Sequence, residues 1–146
     1  MTRSLLLFGL LFVSTLFVPD AVVRIEGRSA PRLFDVTAAH AVVEGLPVEP
    51  TDHFAPEDTP IYVWYRCDGC TIGMVLTSSW WYLEPETPIR FARGSVTVRT
   101  LKDFGEFHCE LLSSSHWPIG SYRVELRING AAAAEVPFRV IVNTQR

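Results

Sequence analysis

Between Trp117 and Ile141 the chain reads WPIGSYRVELRINGAAAAEVPFRVI, and this run leaves few folds open. Tyr122, Val124, Leu126 and Ile128 alternate with Arg123, Glu125 and Arg127. Successive side chains of a strand point to opposite faces, so the pattern predicts a strand with one apolar and one wet face. Asn129-Gly130 then separates it from a returning run. Both residues tolerate the positive φ of a type I′ turn, which makes the pair a strong hairpin signal. The expected class is antiparallel β. No chemistry follows from the pattern itself.

The other end of the chain speaks to location. Thr2-Arg3-Ser4 gives a short positive start, and Leu5 to Val18 is almost without polarity until Pro19-Asp20. Such a run is shorter than the roughly 20 residues of a bilayer span and suits a secretory signal. The expected division is a signal and leader over residues 1–30 and one domain over 31–146. Pro19-Asp20-Ala21 and Arg28-Ser29-Ala30 are both imperfect cleavage sites, so a signal anchor retained over residues 5–23 is the alternative. The protein is expected to be exported, periplasmic or secreted, and to meet a membrane only if that segment stays.

Removal of residues 1–30 takes three arginines and two acids from a chain with 13 basic and 16 acidic residues, moving the net charge from −3 to −4. That balance argues against a nucleic-acid binder or an anionic-membrane binder.

Seven strand-like runs lie beyond the N-terminus: Phe34–Glu44, Ile61–Cys67, Ile72–Leu83, a short Ile89–Ala92, Ser95–Thr100, Phe104–Leu112 and the C-terminal hairpin. GLPVEPTDHFAPEDTP, residues 45–60, reads as a Pro-rich acidic loop. In Phe104–Leu112, Phe107, Cys109 and Leu111 share one side and His108 and Glu110 the other. Short strands at this spacing, without helical periodicity, suggest an immunoglobulin-like antiparallel β-sandwich.

Gly120-Ser121-Tyr122-Arg123-Val124 sharpens this. Tyr122 resembles the tyrosine corner of such domains, whose hydroxyl folds back onto the backbone. Val124 stands where antibody domains carry their second cysteine, so the usual inter-sheet bridge is absent there. Trp117-Pro118-Ile119-Gly120-Ser121-Tyr122, with Phe54-Ala55-Pro56-Glu57-Asp58 ahead of the second strand, resembles a group of exported bacterial sandwich domains with a Trp-Pro-x-Gly-x-Tyr hairpin. The resemblance spans about residues 34–142 and implies the fold more than an activity.

Cys67-Asp68-Gly69-Cys70 is the sharpest local motif. The expected reading is an Asp-Gly hairpin turn closed by a Cys67–Cys70 disulfide, as suits an exported protein. Cys67 with Cys109 across the sheets is the alternative pairing. A redox C-x-x-C wants a helix N-terminus, which this motif lacks. Zinc would need Cys67, Cys70 and Cys109 with His108 or His116. Neighbours on a strand diverge, so His108 and Cys109 do not readily share one ion. No metal or cofactor is expected.

The aromatic residues are the second candidate. Trp80 and Trp81 must lie on opposite faces of one strand, so one of them fills the core position and the other faces outward. Exposed Trp and Tyr suit protein hot spots and sugar platforms. The expected contact surface is Trp80, Trp81 and Tyr82, running to Glu86, with Trp117 and the 45–60 loop nearby. Ser113-Ser114-Ser115-His116 lacks a nucleophile elbow, Glu84 and Glu86 are too close in sequence to indicate a glycosidase pair, and His40 and His53 have no spaced partner. The chain is therefore expected to be a non-enzymatic binding module for another envelope or secreted protein. A thiol- or metal-binding accessory protein using CDGC is the alternative.

Overall fold

The computed structural model describes residues 29–112 and 115–142. The apolar run at 5–18, both sides of the first cleavage site and the Ser113-Ser114 pair lie outside them. Nine strands follow in order: β1 (Arg32–Val43), β2 (Leu46–Pro50), β3 (His53–Phe54), β4 (Ile61–Asp68), β5 (Val75–Tyr82), β6 (Ile89–Thr97), β7 (Phe104–Cys109), β8 (Gly120–Ile128) and β9 (Ala131–Val140). They build two sheets, β2-β1-β4-β7 and β3-β9-β8-β5-β6. Every pairing is antiparallel except β3 with β9.

The C-terminal hairpin is β8 and β9. Asn129 and Gly130 both take positive φ, 48° and 83°, as the type I′ reading requires. The Asn129 side chain accepts the Val75 N–H at 2.9 Å, and its own N–H donates to the Val75 carbonyl at 2.7 Å. The turn is thereby clamped to the start of β5. Tyr122, Val124, Leu126 and Ile128 are buried while the intervening residues face outward.

Their burial assembles a core from both sheets. Ala38, Ile61, Val63, Tyr65 and Phe107 come from one; Leu76, Trp80, Tyr122, Val124 and Phe138 come from the other. Trp80 fills the core position and is 2% exposed. Its indole N–H donates to the buried Ser78 hydroxyl at 3.2 Å, so its polar handle is satisfied inside.

Three local expectations change. Residues 45–60 are not all loop: β2 pairs back on β1, and β3 adds a short parallel strand to β9, leaving 55–60 as the connection to β4. Pro47 and Pro50 disguise β2, yet proline is tolerated on an edge strand, and β2 is one. The separate runs at 89–92 and 95–100 are one strand, β6, continuous through Gly94. A Cβ on Gly94 would lie 2.8 Å from the Ser78 hydroxyl and 3.0 Å from Phe107 Cδ1. The glycine marks a close approach of the two sheets.

The third change concerns CDGC. β4 and β5 belong to different sheets, so Asp68-Gly69 turns no hairpin; it begins a crossover between sheets. The Cys67–Cys70 disulfide is present, with Cα atoms 5.8 Å apart. Cys109 is a free thiol, which excludes the Cys67–Cys109 alternative. The register supplies the reason: Cys109 lies opposite Ile61. Six residues of strand, about 20 Å, separate that end of β4 from Cys67.

Candidate functional site

β6 and β7 are the outer strands of their respective sheets, and they border the same open side of the sandwich. Gly94 against Phe107 pinches the gap in its middle. A cavity opens on either side of the pinch.

The first cavity, about 230 Å³, is lined by Tyr82, Ile89, Phe91, Leu111, Trp117, Pro118 and Tyr122, with no polar surface among its walls. A register shift in the β5–β6 ladder at Trp80/Trp81 shapes it. Trp80 faces Ala92 and Trp81 faces Arg90, so Phe91 is the extra residue of a bulge. Phe91 turns inward and meets Trp117 at 5.8 Å and Tyr122 at 5.9 Å, edge to face. Trp117 meets Tyr122 at 5.6 Å, and Tyr82 meets Tyr122 at 5.0 Å. Four rings from three parts of the chain thus form one wall.

Hydrogen bonds hold that wall in place. The Tyr122 hydroxyl donates to the Pro118 carbonyl at 2.6 Å, four residues upstream, which is the tyrosine corner. The Tyr82 hydroxyl donates to the Ile119 carbonyl at 3.1 Å, and Glu84 accepts the Ser121 N–H at 2.7 Å. Burial, with Tyr82 and Glu84 nearby, holds the Tyr122 phenol well above the usual tyrosine range. Of the lining residues, Ile89 and Phe91 are exposed, and Leu112 and Ile119, next in sequence to Leu111 and Pro118, are exposed as well. Exposed apolar side chains beside an apolar cavity suit an interaction site.

Beyond the pinch, the second cavity, about 180 Å³, is bordered by Tyr65, the Cys67–Cys70 bridge, Val96, Arg99, Lys102 and Phe104. Burial pushes the Tyr65 phenol up to about 12, with Glu106 adding to the effect. Cys109 lies away from this bridge, and burial pushes its thiol up to about 11, so little thiolate is present near neutrality. Among the described residues no three His, Cys, Asp or Glu side chains gather as a metal site would need.

The expected contact residues separate. Trp80 and Trp117 are core residues, each 2% exposed, so neither presents a free surface; Trp117 serves as the floor of the apolar cavity. Trp117 also receives the neighbouring segment at its backbone, its N–H donating to the Pro56 carbonyl at 2.8 Å. Tyr82 lines the cavity. Trp81 lies on the opposite face of the sheet, between the guanidinium groups of Arg90 at 5.8 Å and Arg123 at 6.0 Å. Its indole N–H is buried there without a partner among the described residues.

Other polar candidates have structural roles. Glu84 caps the start of β8 as described. His40 packs on Phe54 at 4.9 Å, with Asp58 3.7 Å from its Nδ1. His53 lies 2.9 Å from Asp52, whose carboxyl is held below its ordinary range by that hydrogen bond. Sequence reasoning missed Ile89, Phe91 and Leu111. The Ile89-Arg90-Phe91 alternation was visible, but the bulge that aims Phe91 inward was not.

The sequence matches no protein-family model and no curated protein. Among solved structures, an immunoglobulin-like protein from Pseudomonas aeruginosa is similar with a TM-score of 0.54 and 14% identity, over 78% of this chain and 98% of that one. The alkylpurine DNA glycosylase AlkC of Pseudomonas fluorescens, bound to DNA containing an abasic site analog, matches with a TM-score of 0.43 and 12% identity, over 80% of this chain and 33% of that one. The first likeness concerns the fold alone, and the second is too low to carry an argument. The chain is an all-β, two-sheet, immunoglobulin-like sandwich.

Proposed function

We propose that the protein is a non-enzymatic binding module that engages another envelope or secreted protein through the open side bordered by β6. One observation carries this: a wholly apolar cavity walled by Tyr82, Phe91, Trp117 and Tyr122 opens beside an edge strand whose ladder has a free side. Aromatic-lined pockets next to unpaired strand edges suit the recognition of extended segments, where backbone pairing supplies affinity and a pocket supplies selectivity. The Trp-Pro-x-Gly-x-Tyr ending, Trp117 to Tyr122, supports a place among exported bacterial sandwich domains, and the apolar N-terminus supports export. Reaction chemistry finds little support, because Tyr82, Glu84 and Tyr122 are engaged in holding the cavity's walls.

Site-directed photocrosslinking tests the reading. A crosslinking residue at Ile89 should join the chain to one protein in the envelope fraction of the native host, and the same residue at Val43, on the β1 edge hairpin, should not. Phe91→Asp should abolish the Ile89 product while the variant stays folded. Equal products from both positions, or a product that survives Phe91→Asp, would make the β6 side the wrong surface.

A further inference from the structure

Resting on that reading, we infer that the partner presents an extended strand to β6, with acidic side chains along one face and a large apolar side chain on the other. A strand added to β6 would place alternate residues on the two faces of the enlarged sheet. On the inner face lie Ile89, Phe91 and the apolar cavity. On the outer face lie Arg90 and Arg93, opposite Trp81 and Ser79 in the ladder. The incoming segment therefore meets apolar chemistry on one face and basic chemistry on the other, with the bulge placing Phe91 and Ala92 together on the inner side between the two arginines.

The outer face extends the basic character beyond the edge. The register puts Arg123, Arg127 and Arg139 on the same side as Trp81, with only Glu125 and Glu135 among them. Arg123 is paired with Glu125 at 2.9 Å, while Arg90, Arg93, Arg127 and Arg139 have no ion-pair partner among the described residues. In a chain of net charge −3, one sheet face thus carries an excess of positive charge. Complementary charge selects partners and speeds encounter. Contact with the Trp81 ring restrains the Arg90 and Arg123 guanidinium groups, which lowers the ordering cost when a carboxylate arrives. Glu125 and Glu135, opposite each other on β8 and β9, break the basic face away from the β6 edge, so a short acidic segment at that edge fits it better than a long polyanion.

A displayed library of random nonapeptides, panned on the full chain, tests this. Enriched peptides should alternate Asp or Glu with large apolar residues. The double variant R90E/R93E, checked for folding by circular dichroism, should bind them about tenfold more weakly, two cross-strand charge pairs being lost, and should select Lys or Arg instead. Apolar enrichment without acidic preference would overturn the charge inference and leave the binding reading standing. Enriched peptides that bind Phe91→Asp equally well would overturn both. Arginines on an edge strand can also act as guards against self-pairing. Unchanged peptide preference with increased self-association of R90E/R93E would establish that role and overturn the proposal, as would tighter binding of a single-stranded oligonucleotide than of any selected peptide.

Discussion

Tyr122→Phe removes one oxygen atom from the tyrosine corner and leaves its ring. The lost interaction is an O–H···O bond of 2.6 Å to the Pro118 carbonyl. The ring contacts remain: Phe138 stacked at 5.0 Å, Tyr82 at 5.0 Å and Trp117 at 5.6 Å. The cost is then one hydrogen bond, about 1–1.5 kcal/mol, with the exposed Pro118 carbonyl free to turn to water. In a domain of this size that lowers Tm by about 4–8 °C. The pH dependence gives a second reading. The Tyr122 phenol is raised in the fold, so the folded state favours the neutral form. Stability from this group is complete below the unfolded tyrosine value near 10 and declines as pH rises above it, by about 1 kcal/mol at pH 11. Phenylalanine has no such decline. Urea titrations of both proteins at pH 7 and pH 11 should therefore show the wild-type advantage at pH 7 largely gone at pH 11. A cost below about 0.3 kcal/mol at pH 7, or an advantage unchanged at pH 11, would refute the corner as an energetic element.

Two further outcomes follow from the cysteines. Cys67→Ser with Cys70→Ser should lower stability by about 2 kcal/mol, the closure entropy of so short a loop, measured by urea denaturation; a loss above about 4 kcal/mol would mean that the bridge does more than close its own turn. Cys109, its thiol pushed up from 9.0 to about 11, should react with iodoacetamide at pH 8 about 100-fold more slowly in the native protein than in urea. A ratio under tenfold would show that the thiol is accessible and poised, and would favour the thiol-accessory alternative.

The parts of the fold that could be read from the sequence are those in which one local rule acts alone. Tyr122 to Ile128 alternates because one face is buried, and Asn129-Gly130 turns because both residues accept positive φ. Trp80 and Trp81 diverge because strand neighbours must. Where two rules compete, local reading fails. The separate runs at 89–92 and 95–100 leave Gly94 outside both, yet the strand continues through it, and a close approach to Phe107 requires the glycine. Pro47 and Pro50 argued for a loop, and the edge position of β2 makes them harmless. Asp68-Gly69 carries a hairpin signal, yet nothing local says whether the next strand pairs beside β4 or crosses to the other sheet.

The candidate site was hidden for a different reason: it belongs to topology rather than to any segment. Tyr82 ends β5, Phe91 sits on a bulge in β6, and Trp117 and Tyr122 flank the entry to β8. Each of these alone reads as core aromatic, and in this fold three of them contact one another edge to face. They become a cavity wall only because β6 and β7 end their sheets on the same side and Gly94 lets the sheets meet between them. The arginines were obscured by averaging, since a net charge of −3 describes the whole chain. The ladder sets Arg90 and Arg123 opposite Trp81 and Arg93 opposite Ser79 on one face. A surplus of acid elsewhere conceals this without weakening it, because exposed charges farther apart than the Debye length of about 8–10 Å are largely screened from one another. The charge that a partner strand meets at β6 is therefore set by its nearest neighbours, which are basic.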